Sequence, residues 1–473
     1  MQLVSKEQIA IAEVSSPISV AQSDTICEAD LKSRIASIIN RPEFRRSHWG
    51  ILIQPLNSNL PLYAANSERY FIPASNVKLL TTAAVLRQLS PFYRLRTSIY
   101  AVGNAPYLTE LRIIGQGDPS LTTEDLQQLA QQLKQQGITQ IDSLIVEEEN
   151  RRKPAINPTW ESGDTLFYYG SAVNGLILNE NAAILTLLPQ EVGQSVKWEW
   201  NDAIAARQWR IQNEAVTAPP GTPYNVKITG VLGQPILRIT GELAADAKPD
   251  IWGMAVGNPA DYFLETLRQT LLTEGITVNQ SQIQTTVGVP LSSELVALES
   301  DTLAELVTKT NKESNNLYSE SLLNLLDSLD SSQSGVNVLE ETLTELGVNP
   351  NSYSIVDGSG LSRHNLVSPE AIVQTLQLMA QTPEGEIYRN SLPMAGIDGT
   401  LKWRFQDTAS QGNVQAKTGT MTGVSALSGY LNASNYQPLV FSIMVNQSDQ
   451  SARIQREAID EIVSLLQGLR RCN

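Results

Sequence analysis

The sequence predicts a mixed α/β (α+β) protein, built as one domain split in two with two smaller domains inserted between its halves. Three observations predict this. Both ends of the 473-residue chain mix helix-period and strand-period segments. A strand-rich stretch near residue 94 leads into its own strand–helix–strand pattern. From 190 to 250 the pattern changes again, to short alternating runs broken by turns.

The elements follow in order. Glu28 to Ile39 carries Leu31, Ile35 and Ile38 at helical spacing. Trp49 to Pro55 reads as a strand, Asn57-Ser58-Asn59 as a turn, and Leu60 to Ala64 as the returning strand. Val77 to Leu89 is rich in Leu, Ala and Val and predicts a buried helix. Arg94 to Gly115 is strand-rich; Thr123 to Gln136 is an amphipathic helix closed by Gly137, and Ile138 to Val146 returns as a strand. Gln190 to Asp250 predicts a small all-β module. Tyr262 to Glu274 is helical, followed by a strand near Ile276 to Val278. Beyond it, Thr302 to Leu329, Val336 to Leu346 and Pro369 to Met379 are helical. Val414 to Tyr430 and Leu439 to Val445 read as two strands, and Ala452 to Leu469 as a closing helix. The expected division is a leader or disordered N-terminus over 1–26, a core domain from 27–92 and 292–473, an inserted αβ domain from 93–188 and 251–291, and a nested β-rich domain over 189–250.

Composition removes several classes of function. Hydrophobic residues make up 41% of the chain and charged residues 18%, enough apolar material for a sizeable core and too little charge for disorder to dominate. The formal net charge of −15 repels phosphate backbones and anionic membrane surfaces, so nucleic acid is not an expected partner. No stretch approaches the roughly 20 apolar residues of a membrane helix. Met1 to Cys27 has Lys6 but only a short apolar segment interrupted by Glu13, a poor signal peptide; the start lies upstream or the segment is a degraded leader. With two histidines and two cysteines, no zinc site and no cofactor are expected. Cys27 and Cys472 are either unrelated thiols or one disulfide tying the first helix to the last. Such a bridge would constrain the unfolded chain by roughly 4–5 kcal/mol and imply an oxidising compartment.

Three short motifs carry the chemistry: Ser75-Asn76-Val77-Lys78, Ser314-Asn315-Asn316 and Lys417-Thr418-Gly419. Each pattern, S-x-x-K, S-x-N and K-T-G, occurs once in the chain. S-x-x-K alone is expected by chance on the order of once or twice in this length; all three in this order are much rarer. Ser75 at a helix start could be only an N-cap. The spacing to Lys78 nevertheless places both on one helical face. A buried lysine loses basicity, so a neutral Lys78 can take the serine proton as general base. Ser314 and Asn316 could be only a polar turn; functionally, Ser314 relays a proton to a leaving amine, and Asn316 holds a substrate carbonyl or orients Lys78. Lys417 could be a solvated edge charge. Functionally, Gly419 admits another backbone, a peptide lies along the strand, and Lys417 with Thr418 and Thr420 binds its terminal carboxylate. The backbone N–H groups of Ser75 and Thr420 then form an oxyanion hole. His48 and His364 lack a nearby nucleophile elbow, which argues against a Ser-His-Asp mechanism.

This trio resembles the signature of the penicillin-recognising serine enzymes. Within them the chain is similar to the low-molecular-mass class C penicillin-binding proteins, the D-Ala-D-Ala carboxypeptidase/endopeptidase family, peptidase S13. The long gap between Lys78 and Ser314, the run Gly115-Gln116-Gly117-Asp118-Pro119-Ser120-Leu121 and the loop from Asp357 to Asn365 carry the resemblance. It implies a transpeptidase/β-lactamase-like core with an antiparallel sheet flanked by helices. It implies that peptidoglycan D-Ala-D-Ala peptides acylate Ser75 and release D-alanine, that β-lactams acylate the same serine, and that the enzyme works in the periplasm or otherwise outside the cytoplasm. Members also cut D-Ala–diaminopimelate crosslinks. Asp164 resembles the family's acidic residue near the substrate's free amino end, the alternative being a solvated loop carboxylate. A β-lactamase on the same core, distinguished by fast deacylation, and a wall-binding protein with a dead site are the rival readings.

Overall fold

The computed structural model describes residues 25–147, 155–284, 294–329 and 332–472; residues 1–24 of the expected leader lie outside them. The chain divides into two compact units. Of the described residues, those within 25–93 and 302–472 make a flanking unit, and those within 94–301 make an inserted unit.

The flanking unit is built on a five-stranded sheet of β1 (His48–Pro55), β2 (Tyr63–Ala65), β3 (Val414–Met421), β4 (Val424–Leu431) and β5 (Leu439–Asn446), in the order β3-β4-β5-β1-β2. Every neighbouring pair is antiparallel. All residues of β4 and β5 are buried, as strands covered on both faces must be. On one face pack α1 (Leu31–Ile39) and α8 (Ala452–Gln467), whose Leu31, Ile35, Ile459 and Ile462 meet Ile51, Ile53, Phe441 and Ile443. On the other lie α2 (Val77–Gln88) and α6 (Pro369–Met379), and the Tyr430 hydroxyl on β4 donates to the Leu376 carbonyl of α6. The helices α3 (Leu303–Lys312), α4 (Asn316–Asp327) and α5 (Gly335–Leu346) pack around α2, and a short α7 (Gly385–Asn390) follows α6. The single strand expected from Val414 to Tyr430 is in fact the hairpin β3–β4, because Gly423 turns the chain with φ +73°. Ile26–Cys27 and Leu469–Arg470 pair in parallel at the ends of the unit, where Cys27 and Cys472 are disulfide-bonded with Cα atoms 5.4 Å apart.

The inserted unit has its own five-stranded sheet, ordered Thr277–Gln284, Gln140–Glu147, Tyr107–Gly115, Arg96–Asn104, Glu294–Glu299. The border expected at 292 therefore moves: Glu294–Glu299 pairs with Arg96–Asn104 and belongs to the insertion, which ends at Asp301. The β-rich module also exceeds 189–250. Ala182–Leu188 and Asp250–Ala255 pair with each other, and their Leu185, Leu187, Trp252 and Met254 share a core with Val226, Leu237 and Ile239. It is not all-β, since Ala203–Arg207 is a short helix capped by Asp202.

Candidate active site

Three segments of the flanking unit converge, and each is placed by local backbone chemistry. The first is the start of α2. A 3-10 turn over Ala74–Asn76 precedes the helix, and Ala74 takes φ +47°, a left-handed conformation that costs a non-glycine residue about 1–2 kcal/mol. Neither this turn nor α2 has a side-chain cap, so Ser75 is not used as an N-cap. Ser75 is half-buried while Lys78 beneath it is 0% exposed.

The second segment joins α3 to α4. Ser314 has φ +58°, and the cap of α4 is Asn315, whose side chain accepts from Tyr318 N at 3.1 Å. One residue thus satisfies the helix end, and the side chains on either side of it are left for other partners. Ser314 accepts from Lys417 Nζ at 2.8 Å, and Asn316 Oδ1 accepts from Lys78 Nζ at 2.7 Å.

The third is the edge strand β3. An edge lysine is ordinarily solvated, yet Lys417 is 0% exposed. Its Nζ bonds the Ser314 hydroxyl and the Thr418 carbonyl. The backbone that approaches Gly419 belongs to this same chain: a Cβ there would lie 2.8 Å from Pro73 O and 3.2 Å from Ser75 N. Glycine lets β3 close on the turn that carries Ser75. Thr418 bonds the Thr400 hydroxyl at 2.8 Å, and Thr420 is half-buried toward the end of the strand.

Lys78 is the hub. Its Nζ lies 3.0 Å from Ser75 Oγ, 2.7 Å from Asn316 Oδ1 and 2.6 Å from Ser359 O. Burial pulls its ammonium down to about 7, against the opposing pull of the Asp357 and Glu320 carboxylates. Burial, with Lys78 beside it, also pushes Lys417 well below the ordinary lysine range. Glu320 is raised to about 7, by burial first and by Asp357 second.

The structure thus brings Ser75, Lys78, Ser314, Asn316, Lys417, Thr418, Gly419 and Thr420 to one place. Asp164 is in the inserted unit, half-buried, where the Tyr169 hydroxyl donates to it at 3.3 Å. His48 and His364 are exposed. Among the described residues no group of histidine, cysteine and carboxylate side chains could hold a metal. Sequence reasoning missed Glu320, Asp357, Ser359 and Thr400 as members of the site. One sign was readable: Glu320 is the one charged residue between Leu317 and Leu326.

Similarity to known proteins follows the same lines. A D-alanyl-D-alanine carboxypeptidase of Actinomadura sp. is 29% identical over 440 residues, covering 88% of this chain and 81% of the relative. A penicillin-sensitive carboxypeptidase A of Dictyostelium discoideum is 27% identical over 500 residues, covering 96% and 95%. The crystal structure of penicillin binding protein 4 (dacB) from Haemophilus influenzae shares the fold, with a TM-score of 0.79 at 24% identity, covering 93% of this chain and 98% of that one. The family model runs from residue 31 to residue 467, which are the first residue of α1 and the last of α8. This chain belongs to the D-Ala-D-Ala carboxypeptidase 3 (S13) family.

Proposed function

We propose that the chain is a serine D-alanyl-D-alanine carboxypeptidase that acts on peptidoglycan stem peptides through an acyl-enzyme on Ser75 and is inhibited by β-lactams at the same atom. The observation that carries this reading is the contact of buried Lys78 with Ser75, beside a second buried lysine on Ser314. Lys78 Nζ takes the Ser75 proton as Oγ attacks the carbonyl of the penultimate D-alanine. The backbone N–H groups of Ser75 and Thr420 receive the oxyanion. Ser314 gives its proton to the departing amine and recovers one from the lysine pair. Water then cleaves the ester, its proton returning through Lys78 or Ser314. Lys417, Thr418 and Thr420 hold the terminal carboxylate, with the peptide alongside β3. That carboxylate favours the charged form of Lys417, and a charged Lys417 in turn disfavours an ammonium on Lys78. When the leaving amine is a diaminopimelate side chain rather than D-alanine, the same site acts as an endopeptidase. Asp164 is proposed to face the free amino end of the stem peptide. The Cys27–Cys472 bridge supports a place outside the cytoplasm, in the periplasm or an equivalent oxidising compartment.

The test is incubation with a fluorescent penicillin, followed by mass spectrometry, with Ser75→Ala as control. A persistent adduct on Ser75, absent from the variant, together with D-alanine release from a D-Ala-D-Ala peptide, is expected. Rapid turnover of the drug would make the protein a β-lactamase, and no reaction would leave a wall-binding protein. Chromatography of crosslinked and uncrosslinked muropeptides separates endopeptidase from carboxypeptidase action.

A further inference from the structure

Glu320 lies on α4 four residues beyond Asn316, on the same face of the helix. It is 7% exposed, and a buried carboxylate is costly unless donors surround it. Its Oε1 accepts from two successive backbone groups, Gly358 N at 3.0 Å and Ser359 N at 2.7 Å, and the Ser359 hydroxyl bonds it as well. The Gly358 carbonyl is held by the hydroxyls of Thr81 (2.8 Å) and Ser319 (2.6 Å). On the far side Asp357 accepts from Gly360 N, Ser362 N and Asn365 Nδ2. The peptide units flanking Ser359 are therefore fixed in direction, and the Ser359 carbonyl is aimed at Lys78.

That direction matters because of what a neutral amine can do. It has two N–H groups and one lone pair. Of the three partners of Lys78, the Ser359 carbonyl and Asn316 Oδ1 can only accept. They take both N–H groups, and the third direction, toward Ser75 Oγ, is left for the lone pair.

We propose that Glu320 is a positioning residue for the base: it holds the Gly358–Ser359 segment, so that the Ser359 carbonyl, whose own peptide unit Asp357 anchors through Gly360 N, aims with Asn316 Oδ1 the lone pair of neutral Lys78 at the Ser75 proton. This rests on Lys78 being the base for Ser75. The charged groups around Lys78 are Glu320 from α4, Asp357 from the loop and Lys417 from β3; Glu340 of α5 bonds Ile355 N where the loop begins.

The experiment is the pH profile of Ser75 acylation by fluorescent penicillin in the full chain. In Glu320→Gln, the amide oxygen can still accept from both N–H groups, more weakly than a carboxylate, and a negative charge can no longer form there to favour the Lys78 ammonium. The plateau rate is expected to fall several-fold, and the acid limb to move roughly half a unit or more toward lower pH. In Glu320→Ala both N–H groups lose their acceptor, and acylation is expected to fall on the order of tenfold or more, part of the 10²–10⁴ that a positioned base supplies. A purely structural role would lower the melting temperature and leave the limb in place. An E320Q profile superimposed on wild type would overturn the proposal, whether or not Glu320→Ala folds. If the wild type itself is not acylated, the reading of Ser75 and Lys78 fails and this inference falls with it; a labelled wild type with an unmoved E320Q limb removes this inference alone.

Discussion

At the scale of single residues, the site depends on two lysines denied water. Lys78 titrates near 7 because desolvation outweighs the two carboxylates that favour its charge. The sign follows directly. Below about 7 the folded protein carries an ammonium that cannot accept the Ser75 proton, and above it the free amine can. Acylation by a β-lactam is therefore expected to rise with slope one through the acid range and level off above about 7. Stopped-flow or quenched labelling from pH 5 to pH 9, buffered at constant ionic strength, measures this. In Lys78→Ala the rate should drop by about 10²–10⁴ and the limb should vanish; a limb that persists in that variant would assign it to another group.

At the scale of elements, the site is a junction of three segments whose backbones touch. The turn at Ala74–Asn76 lies between β3 and the loop beginning at Asp357. Gly419 admits it on one side. On the other, Gly360 has φ +81°, and a Cβ there would run into the carbonyl oxygen of Ala74. Both the left-handed conformation and the contact demand glycine. Gly360→Ala is expected to displace the Ser75 turn. Penicillin labelling should fall by more than tenfold, and the unfolding free energy should drop by about 1–3 kcal/mol. Labelling and a denaturant melt on the same preparation check this; an unchanged labelling rate would show that the turn is held elsewhere. The helix α4 makes the complementary point. Its Asn315 cap leaves Ser314 and Asn316 to face two different lysines, so one short motif serves both.

At the scale of the whole molecule, the flanking unit is assembled from distant parts of the chain, 25–93 and 302–472, with the insertion between them. Its two ends are joined at the pair of Ile26–Cys27 and Leu469–Arg470 and by the Cys27–Cys472 bond, 445 positions apart in sequence. A crosslink acts chiefly on the unfolded chain, and one this long is expected to stabilise by roughly 4–5 kcal/mol. The double replacement of Cys27 and Cys472 by serine should lower the melting temperature by several degrees while penicillin still labels Ser75 at 25 °C. Calorimetry with and without reductant on the wild type gives the same comparison, and equal melting temperatures would remove the bridge from the stability of this unit.

Much of this protein was legible in one dimension. The α/β alternation, the split domain and the three motifs all follow from periodicity and spacing, because helices and strands bury residues at fixed intervals and a serine three positions from a lysine shares its helical face. The sequence could not show that Val414 to Tyr430 is a hairpin or that Glu294–Glu299 closes the inserted sheet, since strand pairing is a long-range choice that local pattern does not encode. The sequence assigned Lys417 to carboxylate binding on an edge strand but could not show its complete burial, because its neighbours in sequence say nothing about the segments that cover it. Glu320 and Thr400 have no motif of their own in the chain, and the loop holding Asp357 and Ser359 carried a resemblance but no chemical role; all four acquire a role only when tertiary packing aims a carbonyl at Lys78 or a hydroxyl at Thr418. The sequence alone determined which groups could do the chemistry. Their direction and basicity were decided by the fold, because both depend on which backbone dipoles and charges surround a group once water has been excluded.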